Sequence, residues 1–185
     1  AVAERAFSGY GLTIIPVRPT DIRVLRRWRN SPAISQQMTD TTYISPHQQR
    51  CWYEYIQSTL NEAHWVAWVQ NVRAGYMNLK GQGPLEEAST LGGGLYVGDS
   101  PVRHGLLGYG LALMQLRIAF KVLKADFYTT RFRAQNHSAE KFNKQLGYRI
   151  CSRDNAFVTV EITPTEYEKA EERLSRYFNT SVRKQ

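Results

Sequence analysis

The stretch Gly92-Gly93-Gly94-Leu95-Tyr96-Val97-Gly98-Asp99-Ser100-Pro101-Val102-Arg103-His104-Gly105-Leu106-Leu107-Gly108-Tyr109-Gly110 decides how this chain is read. Glycines run into a short apolar-aromatic strand, Leu95-Tyr96-Val97. A turn and further glycines then open a helix. Leu107, Leu111, Met114, Ile118 and Val122 recur at helical spacing and predict the buried stripe. Gln115, Arg117, Lys121 and Lys124 fall mostly off it. The first-turn N–H groups of such a helix lack intrahelical partners, and the dipole places positive charge there. Glycines at 105, 108 and 110 let a diphosphate meet backbone without a Cβ in the way. A Walker-type loop is excluded because Leu111-Ala112 follow Gly110. The dinucleotide fingerprint is excluded because Gly108-x-Gly110 leads to Leu113 rather than a third glycine.

Working outward toward the N-terminus, Leu12 to Val17 reads as a strand that Pro16 places at a sheet edge or strand end. Thr20-Asp21 predicts the cap of a short helix with Ile22, Leu25 and Trp28, stopped by Ser31-Pro32. Ser45-Pro46-His47-Gln48 is a capping box for a helix running to about Leu60, with Trp52, Ile56 and Leu60 on one face. His64 to Val72 and Gly75 to Leu79 predict a hairpin turning at Arg73-Ala74-Gly75, followed by a loop from Gly81 to Ala88. Toward the C-terminus, Asp126 to Arg133 alternates as a strand, and Asn136 to Leu146 is a helix stopped by Gly147. Tyr148 to Ile162 gives two short strands about Arg153-Asp154-Asn155. Thr163-Pro-Thr-Glu166 starts a last helix with Tyr167, Ala170, Leu174 and Phe178 inward and Glu171 among the solvated positions. The order predicts an α/β mixed sheet with helices on both faces.

The 185 residues suit a single domain, 1–185, with a core over about 12–162 and a C-terminal helix over about 164–178. The start of the chain has no apolar signal-like segment, and the missing initiator Met suggests a trimmed end. No run is apolar enough for a membrane span. Cys51 and Cys151 lack metal-type spacing, which points to a reduced, cytoplasmic protein without a metal. A net charge of +8 favours an anionic partner; nucleic acid, CoA and a nucleotide-sugar all satisfy it. The basic residues are spread along the chain, through to Arg183 and Lys184, without a nucleic-acid reader motif.

The loop resembles the acetyl-CoA pyrophosphate loop of the GCN5-related N-acetyltransferases (GNAT superfamily), Arg/Gln-x-x-Gly-x-Gly/Ala. Gly108 and Gly110 fall on its glycines. Gly105 departs from its first position, where Arg103 or His104 could supply the missing donor. A second stretch, Asn136-His-Ser-Ala139-Glu-Lys-Phe142-Asn143-Lys-Gln-Leu146-Gly147-Tyr148, resembles the superfamily pattern Asn-x-x-Ala-x-x-Leu-Tyr-x-x-Leu-Gly-Phe. The resemblance covers about Leu12 to Ile162 and implies the GNAT fold, with acetyl-CoA as cosubstrate. It implies that the pantetheine arm lies along Leu95-Tyr96-Val97 and beside Asn136. The pyrophosphate then lies on the amides from Arg103 through Gly105, Leu107, Gly108 and Tyr109 to Gly110. Asn143 stands where the superfamily carries the tyrosine that protonates the leaving thiolate; Asn donates a hydrogen bond but is no ordinary acid. The superfamily's frequent basic Glu is replaced by Gly92 or Gly93. That leaves Tyr76, Glu86, Glu87, Tyr96 and His104, or a relaying water, as candidates to deprotonate the amine.

The N-terminal half, with Trp28-Arg29-Asn30, Met38, Ile44-Ser45 and Trp52-Tyr53, resembles superfamily members that acetylate nucleotide-linked amino sugars in the pseudaminic acid pathway. More loosely it is similar to ribosomal-protein N-acetyltransferases. It implies Arg29, Asn30, Trp52, Tyr53 and Tyr76 as the acceptor surface of a monomer or homodimer. The alternatives are an N-terminal protein acetyltransferase and a non-catalytic acyl-CoA-binding module.

Overall fold

The computed structural model describes residues 1–98 and 105–179. The expected phosphate donors Arg103 and His104, and the basic tail at Arg183 and Lys184, lie outside the described residues. A hairpin that the sequence reading did not anticipate, β1 (Phe7–Gly9) with β2 (Leu12–Pro16), begins the sheet. It brings buried Val2 and Phe7 into the core ahead of Leu12. Pro16 ends β2, where its missing N–H costs no ladder bond.

Helix α1 (Ile22–Asn30) follows, and the expected cap at Asp21 is corrected. The Asp21 side chain does not cap α1; it is fully buried and accepts from Arg18 N–H and from Arg73 Nε, each at 2.8 Å. Ser31-Pro32 ends α1 but also starts a one-turn helix, α2 (Pro32–Ser35). Helix α3 (Pro46–Ser58) has the expected capping box: Gln48 N–H donates to Ser45 Oγ, and Ser45 N–H to the Gln48 side chain. The helix stops short of Leu60, which is exposed.

Strands β3 (Glu62–Val69) and β4 (Val72–Lys80) form the expected hairpin with a different turn. Gln70 and Asn71 both take positive φ, 49° and 66°, the two-residue turn whose twist matches the strands. Arg73, Ala74 and Gly75 are therefore strand residues. After β5 (Thr90–Gly92) and β6 (Leu95–Val97) comes α4 (Leu106–Arg117), which closes in a π-helical turn over Ile118–Val122. The chain finishes with β7 (Phe127–Arg133), α5 (His137–Gln145), β8 (Arg149–Arg153), β9 (Phe157–Ile162) and α6 (Pro164–Asn179).

The sheet order is β1-β2-β3-β4-β5-β7-β9-β8, with β6 pairing β4 alongside β5. One apolar core joins Trp65, Met77, Leu79 and Leu91 to α4 and to Tyr167 of α6. A second, smaller core on the opposite face joins Val66 to Leu25, Trp28 and Ile34. The amphipathic reading of α4 is corrected: this helix is buried on nearly all sides, and Gln115 is only 3% exposed. Glu171 is likewise not a free solvated charge, because Tyr10 donates to it at 2.7 Å and Tyr167 Oη also bonds it. No helix among the described residues is long and apolar enough to cross a membrane.

Candidate functional site

The site begins where β5 and β6 part. Strand β5 pairs in parallel with β7 from Thr90↔Phe127 to Gly92↔Thr129, whereas β6 pairs only with β4, through Gly75↔Val97, Tyr76↔Tyr96 and Met77↔Leu95. Between them the chain turns at Gly93 (φ 156°), where a Cβ would come within 2.3 Å of the Asn78 carbonyl oxygen. Glycine is required there by this close approach. Asn78 fixes the break from the other side: its Oδ1 accepts Gly94 N–H at 2.8 Å and its N–H donates to Gly94 O at 3.0 Å. Gln115 reaches out of α4 and donates Nε2 to the same two carbonyls, Asn78 O at 3.1 Å and Gly94 O at 2.7 Å. Thr130 Oγ1 donates to Gly93 O at 3.2 Å from the β7 side.

Antiparallel pairing then decides which backbone groups face the gap. The bonds Gly98 N–H to Ala74 O and Asn78 N–H to Gly94 O flank the Tyr76↔Tyr96 pair, so the Tyr96 backbone is turned toward β4. The N–H and C=O of Leu95 and Val97 consequently point to the open side of β6, where no strand among the described residues pairs with them. Of the residues expected along the cofactor, Leu95 and Val97 offer backbone; Tyr96 instead contributes its ring, stacked on Tyr76 at 5.0 Å.

A cavity of about 1140 Å³ fills the gap and reaches both faces of the sheet. On the α4–α5 side it is walled by Gly108, Ala112, Asn136, Phe142 and Asn143. The two loop glycines have different duties. A Cβ at Gly110 would press on Tyr10 O at 3.2 Å and Leu12 Cδ1 at 3.3 Å, so this glycine packs α4 onto the first hairpin. Among the described residues, a Cβ at Gly108 would meet only the Phe142 ring at 3.5 Å, and one at Gly105 would meet nothing within 4 Å. Leu107 is buried in the core, so only its backbone is offered. Gly105, at the N-cap position of α4, has no side chain with which to cap the helix. Tyr109 packs on Phe142 at 4.7 Å and its hydroxyl bonds Gln145. Asn136 caps α5, accepting Ala139 N–H at 3.1 Å. Asn143, 9% exposed, donates Nδ2 to Ala139 O at 2.9 Å. Tyr128, which the sequence did not single out, lines the cavity, and its buried hydroxyl has no hydrogen-bond partner among the described residues.

On the α1–α3 side the wall is a loop, 36–45, held by three side chains. Arg133 donates to Met38 O at 2.9 Å and Thr39 O at 3.2 Å. Asn30 bonds both backbone groups of Ile44 at 2.8 Å, and Arg29 Nη2 bonds Asp40 O. Asn30, an expected acceptor residue, is thus committed to the loop. Arg29 lines the cavity, and its Nη1 is buried without a partner among the described residues. Trp52 also lines it, packed edge-on against His64 at 5.2 Å; Tyr53 packs in the second core and is not a cavity-lining residue. Glu86 and Glu87 lie in a 3-10 turn away from the cavity.

Behind Tyr76 lies a polar array. His64, 4% exposed, bonds Tyr76 Oη through Nδ1 at 2.6 Å and Glu62 through Nε2 at 2.9 Å. Asn78 Nδ2 donates to the same Tyr76 oxygen at 2.9 Å, and Tyr55 Oη donates to Glu62 at 3.0 Å. The His64 hydrogen bond, with Lys80 and Tyr55, draws the Glu62 carboxyl down to about 2. Burial lowers His64 despite Glu62, and burial raises the phenols of Tyr76 and Tyr96. On sequence alone His64 reads as the start of an ordinary strand and Glu62 falls before it, whereas both belong to β3.

A mixed sheet split beside a glycine-opened helix, with a through-going cavity at the split, is the GNAT fold. No family model and no curated protein matches this sequence. Solved structures do. The spermidine N-acetyltransferase of Vibrio cholerae, solved with CoA and spermine, superimposes with a TM-score of 0.76 at 15% identity, over 86% of this chain and 99% of that one. FdhC, described as a nucleotide-linked sugar GNAT, gives 0.76 at 14% identity over 95% and 99%. The N-acetyltransferase PseH of Campylobacter jejuni with acetyl coenzyme A gives 0.62 at 16% identity over 80% and 93%.

Proposed function

We propose that this protein is an acetyl-CoA-dependent N-acetyltransferase whose acceptor is the primary amine of a nucleotide-linked amino sugar. The observation that carries the transferase reading is the split between β6 and β7. An extended pantetheine amide chain finds there what a missing strand would have bonded, the free backbone of Leu95 and Val97. Gly108 leaves the first turn of α4 open to a diphosphate, and a backbone N–H at the split would polarise the thioester carbonyl. The amine attacks directly from the α1–α3 side, and Asn143 donates a hydrogen bond toward the departing sulfur.

The acceptor class is supported by charge. Among the described residues, Arg29, Lys80 and Arg131 line the cavity against the single acid Asp40. That lining repels a polycation such as spermine and suits phosphates, which Arg29 Nη1 is free to bond. Trp52 and Tyr43, also in the wall, offer flat apolar surface to a base. Thiol release from acetyl-CoA, measured with UDP- and dTDP-linked amino sugars, polyamines and N-terminal peptides, tests the reading. Turnover of a nucleotide-sugar is expected. Turnover of peptides alone would favour the N-terminal acetyltransferase alternative, and CoA binding without turnover of any amine would leave an acyl-CoA-binding module.

A further inference from the structure

We propose that Glu62, His64 and Tyr76 form a proton relay that deprotonates the acceptor ammonium, with Tyr76 as the catalytic residue and His64 and Glu62 positioning it and holding its proton. This rests on the acetyltransferase reading above.

A primary ammonium with a pKa near that of lysine, about 10.4, cannot attack a thioester until it loses a proton. Among the described residues the strand end at the split carries no carboxylate, because Gly92 and Gly93 occupy it. What the structure supplies is a carboxylate, an imidazole and a phenol in series, with the phenol at the cavity. The register builds it. His64 lies opposite Asn78, and Glu62 opposite Lys80, so the three side chains of Glu62, His64 and Tyr76 share one sheet face.

Proton positions follow by elimination. Glu62 is ionised and only accepts, so the hydrogen between it and His64 is on Nε2. Neutral His64 then accepts at Nδ1, and Tyr76 donates to it. Asn78 donates to the Tyr76 oxygen, leaving a lone pair for the substrate. In the proposed step the ammonium passes a proton to Tyr76 Oη as the phenolic proton moves to His64 Nδ1. The imidazolium so formed is held by Glu62. The free amine bonds to the thioester carbon; the C–S bond breaks as the tetrahedral intermediate collapses, and the nitrogen's remaining extra proton goes to the CoA thiolate. The imidazolium returns its proton through Tyr76 to water after the amide leaves. Tyr76 never persists as phenolate, which its burial would penalise. The charged and titratable groups facing this array are Lys80 on β4, Tyr55 on α3, Arg29 on α1 and Tyr96 on β6.

The test is the pH dependence of kcat/KM for the best amine acceptor, in wild type, Tyr76→Phe, His64→Gln and Glu62→Gln. Near pH 7, Tyr76→Phe should lose about 100-fold, and the loss should shrink to within about threefold as pH approaches the amine's own pKa, where no base is needed. His64→Gln should lose the acidic limb, and Glu62→Gln should move that limb. The KM for acetyl-CoA should stay unchanged. In parallel, nitrogen NMR of the wild-type imidazoles should show His64 neutral at pH 7 with its proton on Nε2. A loss in Tyr76→Phe that is equal at every pH, or a proton on Nδ1, overturns the relay while leaving the acetyltransferase reading in place. If no amine is acetylated at all, that reading falls and takes the relay with it. Should His64→Gln fail to fold, Tyr76→Phe and the imidazole tautomer still decide.

Discussion

Gln115 donates its side-chain amide to the carbonyl of Gly94 at 2.7 Å, from a helix otherwise committed to the apolar core. The same nitrogen reaches Asn78 O. One buried amide therefore ties α4 to β4 and to the β5–β6 link at the point where the sheet divides. Gln115→Leu should keep the volume and drop these bonds, destabilising the fold by about 1–3 kcal/mol. It should also weaken CoA binding, because the split is no longer held. Chemical denaturation and calorimetric CoA titration measure the two effects. Stability lost with unchanged CoA affinity would confine Gln115 to a structural role.

Gly108 and Gly110 separate in the same way. Gly108→Val should weaken CoA binding at least about tenfold while the protein stays folded, because its Cβ faces the cavity rather than packed backbone. Gly110→Val should instead destabilise, since Tyr10 O and Leu12 already stand within 3.4 Å of its Cβ position. Thermal melts beside CoA titration distinguish them, and equal CoA affinity in folded Gly108→Val would remove the diphosphate from this turn.

Asn143→Ala should lower kcat with little change in the KM for acetyl-CoA, as expected for a bond made to the departing sulfur. The stability cost should be small, because the lost bond to Ala139 O lies within its own helix. Wild-type rates in this variant, with a loss in Tyr128→Phe, would assign the leaving group to the Tyr128 hydroxyl, which has no partner among the described residues.

Arg29→Ala should raise the KM for a nucleotide-linked amino sugar by about tenfold or more, from a charge-assisted bond worth about 1.5–3 kcal/mol. Acetyl-CoA binding should be unaffected. Arg29→Lys separates charge from the forked geometry. An unchanged sugar KM in both variants would exclude Arg29 from the acceptor site.

Stability should fall with acidity in two steps. His64 is lowered by burial, so the unfolded chain takes up its proton first. Stability is complete above the ordinary His value, about 6.5, and declines as pH falls below it. Glu62 stays ionised in the fold down to about 2, so a second loss runs from the ordinary carboxylate range toward that value. Denaturant midpoints across pH should show both steps, and His64→Gln should remove the first. An identical profile in that variant would mean that His64 does not carry it.

The sequence by itself determined the order of the main elements from β2 onward, without the one-turn α2 or the parting of β5 from β6, together with the capping box at Ser45, the helix from Asn136 to its stop at Gly147 and the glycine-rich strand-to-helix passage. These depend on residues within a turn or two of one another, where periodicity and cap chemistry act directly. The turn at Gln70-Asn71 was misplaced because the neighbouring Arg73-Ala74-Gly75 carries the more obvious glycine, while the true turn depends on two non-glycine residues adopting positive φ. Asp21 read as a local helix cap and Glu171 as a solvated acid until the fold brought Arg73 to the one and the Tyr10–Tyr167 pair to the other. Only the tertiary structure decided the site's working parts. His64 meets Tyr76 across a strand register, and Gln115 meets Gly94 only once α4 has packed under the split. Hydrogen bonds of this kind are chosen by which faces are buried together, a property of the assembled sheet that no single stretch of chain contains.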